Sequence, residues 1–546
     1  MKKIILCLLF ISGCNQEQTT SPETYNEVES TGKLVPDFIK SAHYFSSAWP
    51  ITFWQEFEKD DVAGELQQIK NDGFNTIVLI VPWRGFEIGF DKNQTQSNQI
   101  LYERLGFVLN GIVENDLSFI LRLGFPHYHM PDTKTYALEQ CIGIYTDGKT
   151  QNQWADYLEK IKQTITPFQK SSAGILVSWE DFWCPHTLFP SWDEEKRLEL
   201  AQSMGYGDWL QQQNQNIVKV LLQQNHINFN QVRVPQPADL SYVLYMDFID
   251  QKFAKDVLKP AQSVFPNAAM EIRVDQLGVK QNDQYTWIAH DLHLEEKNLR
   301  GTYWAPFWGA ENKGELISAE QALMNFDYLL KMVTNNGENT HHVLEQFNFY
   351  DNTVHYPNHA NIIPDEIGDF LLAAGPLLKK YSKGFGVWAY RDYHDNAILN
   401  GSFEMGTQGW LIEGQTEIKT NQQDQSLYMQ AGSSITQSLL ADKRFKLLEN
   451  YQDISICLVA DAATVLEVKV DGVILKEWQV QPQQSCTKVS ADPFRLNASI
   501  DFSLTAQSPV LIDEIKLFGF TQVLGLYDAN GKPSKHIEVY RKLNAL

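Results

Sequence analysis

The residues with chemistry to offer gather where apolar runs end. Residues 174–183 read GILVSWEDFW: Ile175, Leu176 and Val177 make a short buried strand, which runs into Trp179, Glu180, Asp181 and Trp183. Burying a polar group without a partner costs about 2–7 kcal/mol, and a carboxylate more. The run therefore either surfaces here or sets an acid at the mouth of a site. Neighbouring residues of a strand face opposite ways, so only one of Glu180 and Asp181 faces such a site. A carboxyl shielded by Trp179 and Trp183 would hold its proton closer to neutrality, as a general acid must. Other runs end in a similar way. VLEQFNFYDN carries Glu345, and His127 and His129 follow SFILRLGFP, spaced to point the same way if extended. Arg84, Arg273 and Arg391 also fall at strand ends, and Trp49, Tyr303, Trp308 and Trp388 add aromatic faces. The two histidines have no third partner at metal-ligand spacing, and no C-x-x-C occurs, so hydrogen bonding is the role left to them.

The elements that must position these residues alternate. An opening strand around residues 43–49 is followed by a helix at 59–72, with Val62, Leu66 and Ile69 at helical spacing and Gly73 as its stop. Strand 74–83, helix 98–115, strand 118–126, helix 151–168 and strand 174–180 come next. A longer helical region at 193–227 precedes helix 248–263 and strand 268–276. Strand 299–308, helix 318–334, strand 341–350, helix 365–381 and strand 384–393 complete the series. Continuous apolar strands alternating with helices predict a parallel sheet covered on both faces. Eight such units predict an α/β TIM barrel, whose chemistry sits at the C-terminal ends of its strands. A doubly wound open sheet is the alternative, but no Gly-rich phosphate loop follows the first strand.

In this count Glu180 ends strand four and Glu345 lies near the end of strand seven. That arrangement resembles the clan A glycoside hydrolases, which retain anomeric configuration. The resemblance covers the barrel order over most of the chain. It implies that Glu180 is the acid/base and Glu345 the nucleophile, with about 5–5.5 Å between the carboxyl groups. It also implies that Trp388 is a sugar platform and that Tyr303 donates to the nucleophile. His127, His129, Trp179, Arg84 and Arg391 would contact sugar, one of Arg84, Arg273 and Arg391 would orient Glu345, and Trp49 and Trp308 would form outer subsites. The family usually carries Asn just before the strand-four Glu; this chain has Trp179 there. No cofactor is implied for catalysis. The alternative reading is a catalytically inactive carbohydrate-binding or polysaccharide-assembly lipoprotein.

From about residue 396 the period changes. SITQSLL, ISICLVAD, TVLEVKVDG, VILKEWQVQ and PVLIDEIKLFGF alternate apolar and polar residues between turns, which predicts a β-sandwich. NGSFE…GW and LIDEIKLFGF resemble jelly-roll carbohydrate-binding modules, and by that resemblance Glu404 and Asp513 are candidates for a structural calcium. Residues 525–546, GLYDANGKPSKHIEVYRKLNAL, resemble the closing segment of a sugar-cleaving barrel. The sandwich is therefore expected as an insertion between strand eight and helix eight. The expected units are a catalytic barrel at 39–395, a sandwich at 396–522 and a final barrel segment at 523–546. Cys457 and Cys486 fall in the same region and are close enough in sequence to pair; Cys141 and Cys184 are expected in loops. Free buried thiols are the alternative for all four.

The N-terminus predicts a destination. Lys2 and Lys3 precede an apolar stretch too short to span a bilayer, and Ile11-Ser12-Gly13-Cys14 resembles the lipobox of bacterial lipoproteins. By that resemblance residues 1–13 are a signal peptide and Cys14 carries lipid. Polar residues 14–38 would be a flexible tether, and Asn15 favours the outer membrane. The formal net charge of −22 argues against nucleic acid and anionic lipid surfaces as partners. Carbohydrate is the partner expected, with the membrane reached by the lipid anchor alone.

Overall fold

The computed structural model describes residues 35–87, 99–124, 134–179, 183–274, 288–293, 297–307, 310–335, 337–354, 356–421, 424–439, 452–496 and 499–546. Eight strands form the sheet at the centre: β1 (Ile39–His43), β2 (Thr76–Pro82), β3 (Ser118–Gly124), β4 (Ser172–Leu176), β5 (Ala268–Ala269 and Glu271–Val274), β6 (Arg300–Trp304), β7 (His342–Phe347) and β8 (Gly384–Val387). Each pairs in parallel with the next, and β8 pairs with β1 through Ile39 opposite Gly384. The sheet is a closed TIM barrel. Met270 interrupts β5, yet Ala269 O and Met270 O still accept from Val177 N and Gly301 N on the two flanking sides.

The apolar runs of β2 and β3 are buried along their whole length, as strands covered on both faces must be. Their outward residues meet helices such as Lys59–Asn71, Gln99–Glu114 and Gly148–Ile165 in one large core. Inside the barrel, Ile39, Val78, Ile120, Leu176, Ala269 and Val343 form a separate apolar floor. The region expected as one long helix at 193–227 is three short ones, Glu194–Met204, Tyr206–Gln212 and Gln215–Leu222. Gly205 and Gln223 end the first and third in the left-handed conformation.

After β8 the chain leaves the barrel. Two antiparallel sheets face each other as a sandwich. One orders Thr416–Asn421, Asp424–Met429, Val510–Gln522, Asp453–Ala460 and Gln483–Ser490; the other orders Leu411–Glu413, Ser434–Leu439, Ile500–Ala506, Thr464–Val470 and Val473–Val480. Strict alternation of burial in Thr464–Val470 supplies Leu466 and Val468 to a core shared with Leu427, Ile456, Phe502 and Leu517. Cys457 and Cys486 stand directly opposite on paired strands and are joined by a disulfide.

The chain then returns. Asp392 Oδ1 accepts from Leu524 N at 2.9 Å and Gly525 N at 2.7 Å. Helix Ile537–Ala545 lies against the barrel, with the Tyr540 ring between those of Phe74 and Phe349. Buried Asp72, just past helix Lys59–Asn71, ties the closure together. It accepts from Tyr390 OH at 2.6 Å, from Tyr527 OH at 2.9 Å and from Arg541 Nε at 2.8 Å, while its carbonyl accepts from Asn544. The sandwich is thus inserted between strand eight and helix eight.

Candidate active site

Above the apolar floor, the odd-numbered strands supply one layer of inward side chains: His43 from β1, Arg122 from β3, Glu271 from β5 and Glu345 from β7. Barrel interiors fill in this way, four residues of a layer coming from alternate strands. Such layers are usually branched aliphatics; here three of the four carry charge. All four are buried. Arg122 lies between the carboxylates, with Nη2 donating to Glu271 Oε2 at 2.7 Å and Nη1 to Glu345 Oε2 at 3.1 Å. His43 Nε2 stands 3.1 Å from the same Glu345 oxygen. The other oxygen, Glu345 Oε1, has no hydrogen-bond partner among the described residues. It lies over Gly301 of β6, where a Cβ would sit 2.8 Å away. Only glycine leaves the carboxylate its place there.

Aromatic residues close round this layer. The Trp388 ring meets His43 edge-on at 4.8 Å and lies 5.9 Å from Trp179. The Arg122 guanidinium sits 5.8 Å from the centre of the Trp179 ring, near enough for a cation–π attraction. One residue earlier, Ser178 Oγ accepts from Glu271 N at 2.8 Å. The segment leading to Glu180 is therefore anchored to the arginine and to β5. Burial pushes the His43 imidazole below its usual pKa, with Glu345 pulling the other way and Arg122 adding to the depression.

Of the residues singled out in the sequence, Glu345, Trp179 and Trp388 come together. Tyr303 sits on β6 opposite Gln346, the residue after Glu345, and is buried beside Phe307. Glu180, Asp181, His127, His129 and Trp308 lie outside the described residues, as does Cys14. Of Arg84 and Arg273 only the backbone is described, in helix Trp83–Glu87 and in β5.

Three expectations are corrected. Arg391 does not orient Glu345; it pairs with Glu65 and bridges to Tyr527 in the returning segment. Trp49 is only 9% exposed and belongs to the main core, so it offers no open platform. Cys141 and Cys184 are not in plain loops. Cys141 is in helix Lys134–Thr146 and Cys184 in a π-helical turn, and a disulfide joins them. In the sandwich, Glu404 Oε1 takes Arg104 at 3.1 Å and Asp513 Oδ2 takes Ser426 at 3.0 Å.

Arg122, Glu271 and His43 were not picked out from the sequence. The available signal was a charge inside an otherwise apolar strand, SFILRLG and AAMEIRV.

No family model and no curated protein matches the chain. Among solved structures it is similar to the exo-β-1,4-mannosidase Op5Man5 from Opitutaceae bacterium strain TAV5, at 14% identity and a TM-score of 0.39, covering 65% of this chain and 53% of that one. It is also similar to a GH5_18 protein from Streptomyces cattleya in complex with GlcNAc, at 13% identity and a TM-score of 0.40, covering 66% and 72%. A GH5_18 protein from Bifidobacterium longum subsp. longum aligns at 12% identity and a TM-score of 0.38, covering 65% and 71%. The chain spans about half the length of the mannosidase. At these scores the chemistry must be argued from the chain's own residues.

Proposed function

We propose that this chain is a retaining glycoside hydrolase that cleaves a β-linked poly- or oligosaccharide, held at the bacterial cell envelope by lipid on Cys14. The observation that carries the reading is the asymmetry of Glu345. Its Oε2 is held by Arg122 and His43, while Oε1 has no hydrogen-bond partner among the described residues. A carboxylate nucleophile needs that division: one oxygen anchored by positive charge, the other left to attack. Oε1 bonds to the anomeric carbon as the glycosidic bond breaks, and Glu180 gives its proton to the leaving oxygen. Water, deprotonated by Glu180, then displaces Glu345, and the two inversions restore the original configuration. Trp388 offers a ring face to the sugar beside this carbon. The sandwich, in this reading, holds glycan near the barrel.

One observation favours the alternative of an inactive, glycan-binding barrel: the Glu345 side chain is 0% exposed. The two readings separate on a panel of aryl β-glycosides and polysaccharides. In the active reading Glu345→Ala abolishes turnover, and azide restores it with a product of inverted configuration. Glu180→Ala spares only substrates with very good leaving groups. Full-length protein that turns over nothing on the panel, yet binds a glycan array, supports the alternative. Labelling with radioactive fatty acid should mark the wild type and not Cys14→Ser.

A further inference from the structure

The hydrogen bonds around His43 determine where its protons lie. Nδ1 is 3.2 Å from the backbone carbonyl oxygen of Val387. A carbonyl only accepts, so Nδ1 carries a hydrogen. In a neutral ring Nε2 is then a bare lone pair, facing Glu345 Oε2 at 3.1 Å. Two acceptors turned on one another in a dry interior repel, and both groups are fully buried there.

From this juxtaposition we infer that His43 and Glu345 share one proton, and that His43 is a positioning residue which holds Glu345 Oε2 by that proton. The inference rests on reading Glu345 as the nucleophile for its functional meaning, but not for its geometry. Among the described residues, Arg122 approaches the pair from β3 with Glu271 of β5 behind it, while the Val387 carbonyl and the Trp388 indole approach from the β8 side. Burial of the ring and the nearby guanidinium disfavour the extra proton on His43, and Glu345 favours it. The proton therefore belongs to the pair rather than to either residue. While the proton is present, Glu345 Oε2 is drawn to both Arg122 and His43, and Oε1 stays turned toward Gly301. Without that proton, a neutral His43 repels the carboxylate and the nucleophile loses one of its two holds.

The test reads the proton directly. Full-length protein is prepared with ¹⁵N-histidine and ¹³C-carboxyl-glutamate, and assignments come from His43→Gln and Glu345→Gln. At neutral pH the wild type should show one of two signatures, or their fast average. Either both His43 nitrogens are protonated beside an ionised Glu345, or Glu345 is a protonated acid donating to Nε2. In Glu345→Gln, His43 should carry hydrogen on Nδ1 alone. A neutral His43 beside an ionised Glu345 in the wild type at neutral pH overturns the inference. His43→Gln, which keeps a donor to Oε2 but no titrating proton, should lower kcat about 10²-fold with KM little changed. That is the size expected when a reacting group is misplaced by about 1 Å. Equal losses in kcat and stability without the spectral signature would mark His43 as structural only and also overturn it. The spectra need no substrate, so a chain that proves inactive on glycosides fails the functional reading while leaving this one decidable.

Discussion

Removing Arg122 tests the charged layer most severely. Its guanidinium is fully buried and serves two carboxylates, Glu271 at 2.7 Å and Glu345 at 3.1 Å. Arg122→Met keeps much of the stem's volume and takes away the charge. Breaking a buried ion pair by deleting one partner costs about 3–5 kcal/mol, because the other charge is left without compensation. Here the guanidinium serves two carboxylates, so the upper end, about 5 kcal/mol, is expected. At roughly 2.1 cal/mol/K per residue of unfolding entropy, a barrel of this length should melt about 6 °C lower. Scanning calorimetry at neutral pH on both proteins measures it, with Arg122→Lys as an intermediate because an ammonium retains the charge but cannot serve both acids with a planar fork. A variant as stable as wild type would refute the reasoning.

Three further substitutions follow from the packing. Gly301→Ala sets a Cβ 2.8 Å from both Glu345 Oε1 and Leu176 Cδ1. It should cost about 1–3 kcal/mol by overpacking and lower kcat about 10²-fold, and an unchanged kcat would contradict the assigned direction of Oε1. His342 is buried, and its pKa is pushed down to about 3 by burial, with Arg300 adding to the effect. The unfolded chain thus binds its proton first, and stability is lost as pH falls below about 6.5 toward the folded value, at about 1.4 kcal/mol per unit. His342→Leu should flatten the wild type's decline in urea midpoint between pH 6 and pH 4. Asp72→Ala leaves the hydroxyls of Tyr390 and Tyr527 without their acceptor, at about 1–3 kcal/mol. Amide hydrogen exchange in helix Ile537–Ala545 should quicken, and an unchanged rate would mean that Asp72 does not hold the closure.

The barrel was legible because its strands are covered on both faces and so spell themselves as unbroken apolar runs between amphipathic helices. The sandwich was legible for the opposite reason: Thr464–Val470 alternates buried and half-buried residues along one strand. The site was read only in part. Glu345 and Trp388 were found because a strand's end can be estimated from its pattern. Arg122 and Glu271 sit inside strands, and only closure of the sheet shows that residues from β1, β3, β5 and β7 share a level. Arg391 was one of three arginines offered to Glu345 on strand position alone, and nothing local revealed that Glu65 would take it. Trp49 reads as a platform in a sequence because an indole serves a core and a sugar equally well; its neighbours decide. Cys141 read as a loop residue because Tyr136, Leu138, Ile142 and Ile144 fall on no single helical stripe of Lys134–Thr146.

The insertion sets a timetable for synthesis. The ammonium of Lys40 in the first strand donates to the backbone of Asn544, 504 positions later, and Asp72 waits for Arg541. At roughly 5–20 residues per second on a ribosome, about eight to thirty seconds separate the emergence of β8 from that of its helix. Throughout that interval Phe74 and Phe385, which Tyr540 will cover, stay open to water. The intervening sheets bring their own core and can fold while the barrel waits. The nascent chain thus passes through a stage in which its later-made unit is finished and its earlier-made unit is not, and that half-sealed barrel is the species a chaperone would meet.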